Sequence, residues 1–526
     1  MYVLVLFMVV GFMTIWGMSV ASWQGSFLLI SYVLKESFFS FFLDDISLVA
    51  WLMLFCCGGL ALFYCYHYFL GSTEGGLLSG LIVWFLCVMG VLVVTSSLMF
   101  SLVLWEYLGL VSFFLILFYS NSTSLRASLI TVFASRFGDV SLFLLIMWLS
   151  SWADYSSLLF VAFFMLVVLT KSAAYPFISW LLEAMRAPTP VSSLVHSSTL
   201  VAAGVWFFCR YGYISSVGSL GGLFFFSIVS VIISGLCAVV FTDLKKIVAL
   251  STCNNISWCV IFFIFGDLML ALVQLLSHGV AKCFLFMSVG DLMSTSGGSQ
   301  NSSGVYVSRY LGLYGVVCQA VLIFSLCGFP FLGVFFSKHG LFSMFLYNYN
   351  VVCLGLLLTG FLISYIYSVR FSLLLFKGVG GINCGYLSSY ILISLVCFFS
   401  SLINFCGSVL FLEYSELSSF WSLGFVVLQL LGCVTGVIFF VWNFGVGGCK
   451  WNSLLWGSES LVAYAYSIYL RMSEVCFFSF YRWEVYLFGI FKGWVGKLSL
   501  FSGSIFSLNV LVLGLLFVVL FYFVVY

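Results

Sequence analysis

The sequence is 526 residues long, with 64% apolar and only 6% charged residues, a net charge of +2 and a mean hydropathy of +1.25. That balance excludes a soluble globular domain, and the lack of any basic tract leaves nucleic-acid binding without support. Apolar runs of about 20 residues recur almost end to end, whereas the shorter alternating strands of a membrane barrel are absent. The class is all-α: a polytopic transmembrane helical bundle.

In chain order, the apolar runs predict spans at 2–20, 46–69, 80–100, 102–119, 128–150, 157–182, 190–210 and 219–241. Further spans follow at 247–266, 268–291, 312–330, 331–349, 351–376, 389–410, 422–444 and 503–526. The stretch from Ala21 to Asp45 is broken by Lys35 and Glu36 and reads as a loop with short interfacial pieces. Ser294 to Arg309, rich in Ser and Gly, reads as a loop. Between Lys450 and Leu500 the charges come too often for a span. Arg471, Glu474, Arg482 and Lys492 nevertheless fall within an arc of about 80° on a helical wheel. A long helix lying along the membrane surface or the flank of the bundle accounts for that stripe, with two shorter interfacial pieces as the alternative, since Glu459, Glu484 and Lys497 lie off it.

The first 20 residues carry no charge, so neither a secretory signal nor an arginine-rich presequence is expected. With 62 phenylalanines and 4 prolines, the composition suggests codon bias in an organellar genome. The 18 cysteines show no ligand spacing and read as small apolar residues. No glycine-rich phosphate or dinucleotide loop is present. Any redox carriers are therefore expected in other subunits, with no cofactor and no metal held by this chain.

The chain is organised around Lys171–Gly204, KSAAYPFISWLLEAMRAPTPVSSLVHSSTLVAAG, which holds three of the four prolines, Pro176, Pro188 and Pro190. A lysine in lipid is costly, and proline frees backbone groups that lipid cannot satisfy, so both need protein or water as partners. The fourth proline, Pro330, precedes Lys338 in a similar setting, which suggests two related halves with a polar site in each.

Other charges interrupt the apolar spans. Glu106 sits between apolar residues. Arg136 and Asp139 share a helix face, as a structural ion pair or as a relay. His196 is either a packing residue or part of a polar face with Ser193. Asp243, Lys245 and Lys246 open a span as ordinary interface anchors or as a polar bridge. Gln274, His278 and Lys282, spaced by four, stack along one helix face as a wet track. Lys338 and His339 follow the Pro330 interruption. A buried lysine loses preference for its charged form, and a carboxylate about 6 Å away restores roughly 2–3 kcal/mol of it at an effective dielectric near 20. Lysines and carboxylates strung through successive spans thus make a proton device that needs no covalent chemistry.

The segments WEYLGLVSFFLILFYS, SRFGD, the Lys171 block, DLKKIVALST, HGVAKCFLFMSVG and GFPFLGVFFSK, in that order, resemble the chain 5 family of mitochondrial NADH:ubiquinone oxidoreductase (respiratory complex I). The resemblance implies antiporter-like inverted repeats with two broken helices, about 15 spans (14–16) and a lateral amphipathic helix. It implies proton translocation along Glu106, Lys171, His196, Lys245, His278, Lys282 and Lys338. In that scheme Glu106 is the buried carboxylate partner of Lys171, and Lys338 faces the outlet. Arg136, Asp139, Asp243, Gln274 and His339 are supporting polar groups, and Pro176, Pro188, Pro190 and Pro330 mark the helix breaks. NADH, FMN, iron–sulfur clusters and quinone are then expected in partner subunits. The neighbouring antiporter-like chain 4, other complex subunits and membrane lipids are the expected partners, in the mitochondrial inner membrane.

The same resemblance divides the chain into an N-terminal membrane segment (1–79), a translocation core (80–376), additional spans (377–449), a lateral helix (450–502) and a final anchor (503–526). Three departures stand out. His339 occupies the position of the family's usual aspartate, and Gln274 that of a histidine. One clear span precedes Asp44 where the family has two. The competing reading is the large subunit of a cation/proton antiporter with the same core. That subunit is expected to carry further C-terminal domains, whereas this sequence ends on the 503–526 span.

Overall fold

A computed structural model describes residues 44–69, 72–150, 158–212, 217–265, 268–308, 312–348, 351–377, 379–381, 401–402, 404–405, 419–442 and 458–497. The spans expected at 2–20 and 503–526, and nearly all of that at 389–410, lie outside the described residues.

Four helices open the described chain: α1 (Asp45–Phe69), α2 (Thr73–Val94), α3 (Leu98–Leu117) and α4 (Ser122–Ser150). They are followed by α5 (Leu158–Lys171), α6 (Ile178–Ala184), α7 (Thr189–Leu194) and α8 (Leu200–Tyr211). Then come α9 (Val217–Val240), α10 (Leu244–Phe265), α11 (Leu268–Thr295), α12 (Gly312–Cys327), α13 (Phe335–Asn348), α14 (Val351–Phe376) and α15 (Ser419–Val441). Two three-residue strands, β1 (Tyr306–Ser308) and β2 (Val379–Gly381), pair in parallel, with Tyr306 opposite Val379. Ten helices among the described residues are long and apolar enough to cross a membrane, and α5 and α12 are shorter apolar helices. The chain is a multi-pass membrane protein.

Two frames differ from the sequence expectation. The helix expected at 80–100 runs from Thr73 to Val94, and the next starts at Leu98. Hydropathy alone discards polar residues at a helix start, yet Ser72 caps α2 by accepting from the Gly75 amide at 3.4 Å, with Glu74 in the first turn. An acceptor and a negative charge there satisfy free amides and the helix dipole.

The two faces of a peripheral helix separate cleanly. On α3, Val103, Tyr107, Leu110 and Phe114 are exposed, at the helical spacing of a lipid-facing stripe. Trp105, Leu108, Val111 and Leu115 are buried on the other side. By contrast α10 and α11 are buried on nearly every side and form the middle of the bundle. An interior position is what lets a helix carry several polar groups through the bilayer without meeting lipid.

The Lys171 region is irregular. Helix α5 ends at Lys171, Ala173 takes a left-handed φ of 53°, and the Tyr175–Pro176 peptide is cis. The Ala174 amide reaches back five residues to the Leu169 carbonyl at 3.1 Å, and Trp180 Nε1 donates to the Thr170 carbonyl at 3.0 Å. These bonds satisfy backbone that the turn would leave bare. Pro188 and Pro190 lead into α7, where Pro has no amide to lose. A wide π-type turn, Val195–Thr199, joins α7 to α8, and Thr199 Oγ1 bonds the Leu194 carbonyl at 2.9 Å. Helix α8 lies close against α5: a Cβ on Gly204 would stand 2.8 Å from the Ser172 amide nitrogen. Around Pro330, α12 ends at Cys327 and α13 begins at Phe335, with Gly328, Phe331 and Gly333 all at positive φ.

A second compact unit begins at Ser460 and contains most of α16 (Ser458–Lys497), a single helix of 40 residues. Arg471, Glu474, Arg482 and Lys492 on it are exposed, and so are Phe477, Phe480, Tyr481 and Trp483.

Candidate functional site

Four lysines are buried inside an apolar bundle: Lys171 (1% exposed), Lys245 (6%), Lys282 (1%) and Lys338 (0%). Each finds a backbone carbonyl. Lys171 Nζ donates to Trp105 O at 3.4 Å and lies 5.1 Å from the centroid of the Trp105 ring. Lys245 Nζ donates to Ala187 O at 3.0 Å, in the loop between α6 and α7. Lys282 Nζ donates to the Ser251 hydroxyl and to Val248 O on the neighbouring α10. Lys338 Nζ donates to Cys327 O at 2.6 Å, near the faces of Trp258 and Phe361, which stack 4.4 Å apart. Among the described residues none of the four makes an ion pair with a carboxylate.

Between these lysines lie two buried histidines. His196, in the π-type turn, feels the charge of Lys245, and His278 feels those of Lys282 and Lys338. Neither imidazole makes a hydrogen bond of ordinary geometry through its ring nitrogens, although the Ala184 backbone lies against His196. His196 and Lys171 line one cavity together with Thr131, Ser135, Thr170 and Trp180. Gln274, His278 and Lys282 are all buried on α11. Ser337, beside Lys338, donates its hydroxyl to Gln274 Oε1 at 2.5 Å, so the α11 track and α13 meet at that point.

Glu106 departs from expectation. It is not buried: its side chain is 47% exposed on the outer face of α3, paired with Arg136 at 3.4 Å. Arg136 also reaches Asp139 at 3.6 Å, and Asp139 is only 5% exposed. The strongest opposite charge acting on Lys171 is that of Asp139, with Glu106 contributing less. The flanking apolar residues concealed this, because Glu106 follows the buried Trp105 by 100° of helix turn and so rotates out of the core. Asp139 sits one residue after Gly138, where a Cβ would collide with Thr170 of α5. That close approach brings Asp139 towards the end of α5, and sequence spacing carries no sign of it.

Asp243 and Lys245 part company. Asp243 pairs with Lys246 at 3.0 Å near the surface, while Lys245 turns inwards. His339 is half-buried between the rings of Phe335 and Phe425, at 5.6 and 6.2 Å. Sequence reasoning missed Trp105, Ser251, Cys327 and Ser337 as partners of the lysines and of Gln274, since three of them act through tertiary contacts alone. No group of three or more His, Cys, Asp or Glu able to hold a metal ion is gathered among the described residues.

Residues 95–364 match the family model described as NADH:quinone oxidoreductase/Mrp antiporter, transmembrane. The chain is similar to NADH-ubiquinone oxidoreductase chain 5 of Lumbricus terrestris, 34% identical over 323 residues that cover 58% of this chain and 55% of that one. It is similar to the protein of the same name from Anopheles gambiae, 31% identical over 396 residues covering 70% and 67% of the two chains. In fold it resembles a chain of the Mrp complex from a Dietzia species, with a TM-score of 0.65 at 21% identity over 88% of this chain and 56% of that one. The match to the first of these relatives thus spans little more than half of that relative's length.

Proposed function

Because the chain belongs to the NADH:quinone oxidoreductase/Mrp antiporter transmembrane family, we propose that it is a proton-translocating membrane-arm subunit of a respiratory NADH:ubiquinone oxidoreductase. One observation carries the reading: four lysines and two histidines lie buried in the bundle, the lysines without carboxylate ion pairs among the described residues, with Lys171, His196 and Lys338 at or beside irregular backbone. A purely structural lysine would be expected to carry a carboxylate or to reach the interface. A lysine resting on carbonyl oxygens changes its protonation state without orphaning a counter-charge. Two charges about 6 Å apart at an effective dielectric near 20 repel by roughly 2–3 kcal/mol, so loading one site is enough to bias the next.

In this scheme the proton moves between Lys171 and Lys338 by way of His196, Lys245, His278 and Lys282, with Gln274 as a hydrogen-bonding step that does not titrate. Glu106, Arg136 and Asp139 set the field at the Lys171 end, and Asp243 lies at the rim. Two pairs are proposed as halves of two broken helices in inverted repeats: α5 with α6 across Pro176, and α12 with α13 across Pro330. Pro188 and Pro190 are proposed to mark a further break. About 15 spans, the five-part division at 79, 376, 449 and 502, and a lateral role for α16 belong to the same proposal. So do NADH, FMN, iron–sulfur clusters and quinone in partner subunits, the neighbouring chain 4, and the mitochondrial inner membrane.

The test is Lys171→Met in the assembled complex, reconstituted in vesicles. Loss of NADH-driven proton translocation with the complex intact is the expected result. Undiminished translocation rejects the reading. Isolation of the chain with cation exchange but without flavin, clusters or NADH oxidation would instead support the antiporter reading.

A further inference from the structure

At one end of the bundle a second group of ionisable side chains gathers, outside the line of lysines. The last turn of α1 carries His67, whose Nε2 lies 3.9 Å from Asp291 Oδ1 in the last two turns of α11. Asp291 is 2% exposed and His67 36%, so the pair spans the boundary from interior to exterior. Tyr64, one turn before His67, has its ring 6.1 Å from the imidazole, and its buried hydroxyl lies against Asp291 and against Thr189 in the first turn of α7. The Tyr64 and Thr189 hydroxyls are buried and neither makes a hydrogen bond of ordinary geometry. Glycine at 290 allows this approach, since a Cβ there would stand 2.6 Å from the Tyr64 hydroxyl and 3.1 Å from Thr189 Cβ. Ala187, whose carbonyl receives Lys245, is two residues from Thr189, and Lys245 in turn acts on His196.

We propose that His67, Asp291 and Tyr64 form a proton-loading branch that joins the aqueous boundary at the end of α1 to the buried line of lysines through Thr189 and Lys245. It rests on the translocation reading above and adds an entrance to it. His67 is the exposed end of the pair and Asp291 the buried end, so the imidazole is the group that can meet a proton from outside the bundle. The proton on His67 Nε2 passes to Asp291 Oδ1: one N–H bond breaks, one O–H bond forms, and solvent re-protonates the imidazole. Asp291 then donates to the Tyr64 oxygen as the phenol gives its own proton to the Thr189 oxygen; Thr189 releases its original hydroxyl proton towards Lys245, whose neutral amine is the acceptor, and both hydroxyls rotate back. No electron changes hands, and the branch ends as it began after one proton is delivered.

The experiment uses the intact complex in vesicles, following NADH-driven proton translocation for His67→Ala, Asp291→Asn and, as a control on the underlying reading, Lys171→Met. His67→Ala and Asp291→Asn are expected to slow translocation by about tenfold or more, the scale on which a positioned acid–base group acts. Imidazole added to the medium is expected to restore His67→Ala, which a packing role would not allow. Unaltered translocation in His67→Ala, or a slowing that imidazole does not relieve, overturns the branch. Since His67 is half-exposed, this arm holds even if Asp291→Asn fails to assemble. Loss in Lys171→Met with no loss in His67→Ala removes the branch and leaves the translocation reading standing. No loss in Lys171→Met removes the reading itself.

Discussion

Lys338 donates to the carbonyl of Cys327 across the Pro330 interruption at 2.6 Å, so the first turn of α13 is tied to the last residue of α12 by a single ammonium. Replacement by methionine removes both the proposed proton site and this tie. For Lys338→Met we expect proton translocation to be lost and the thermal midpoint of the assembled complex to fall. Buried hydrogen bonds to charged groups contribute about 1.5–3 kcal/mol. A midpoint that does not move would separate the tie from the chemistry.

Gly204 makes a sterically decided prediction. A Cβ there meets the backbone of α5, at 2.8 Å from the Ser172 amide nitrogen and 3.0 Å from the Val168 carbonyl oxygen. Backbone cannot swing aside as a flexible side chain does. Gly204→Val is expected to push α8 off the end of α5 at a cost of roughly 1–3 kcal/mol, the usual scale of overpacking. Reduced thermal stability of the complex, with proton translocation falling in step, is the measurable outcome.

Arg136 serves two carboxylates, Glu106 at 3.4 Å and Asp139 at 3.6 Å. Arg136→Gln should therefore lower translocation more than Glu106→Gln, because it strips the guanidinium from the buried Asp139 as well. The double variant with Asp139→Asn should be better than the sum of the single losses, as groups sharing a network are not additive. Strict additivity in that double-mutant cycle would show that Arg136 and Asp139 do not act together.

Gln274 accepts the Ser337 hydroxyl at 2.5 Å, with both residues fully buried. Gln274→Leu leaves that hydroxyl without this acceptor and should cost about 1–3 kcal/mol. Gln274→His keeps a hydrogen-bonding group and adds a titratable one, so translocation is expected to persist there while it falls in Gln274→Leu. Equal rates in the two variants would mean the side chain serves only to fill space.

The sequence disclosed the parts whose cost in lipid is high. Lys171, Lys282 and Lys338 were recognisable because nothing but function or pairing keeps such groups in an apolar run, and the prolines marked where the backbone turns irregular. What it concealed are facts of rotation and of contact. Glu106 has the same apolar neighbours whether it faces in or out, and the structure turns it out by one residue's rotation from Trp105. Asp139 comes under α5 only because Gly138 lets Thr170 approach, a relation across more than 30 positions of chain. His67 and Asp291 drew no notice, since each lies at the end of a span, where polar residues are ordinary. The frame of α2 was misplaced for a similar reason: its capping Ser72 and its Glu74 look like loop to a hydropathy window.

The carbonyl oxygens that receive Lys171, Lys245, Lys282 and Lys338 have a thermodynamic corollary. A carboxylate would hold an ammonium in one deep well and demand its return, making the vacated site a trap. A peptide dipole is fixed and carries no net charge, so it favours the ammonium but leaves no uncompensated anion behind when the proton departs. Under the proposed translocation, a row of such resting places favours traffic in either direction, and the direction of flow is then imposed from outside the row, by whatever reorders the charges at its ends.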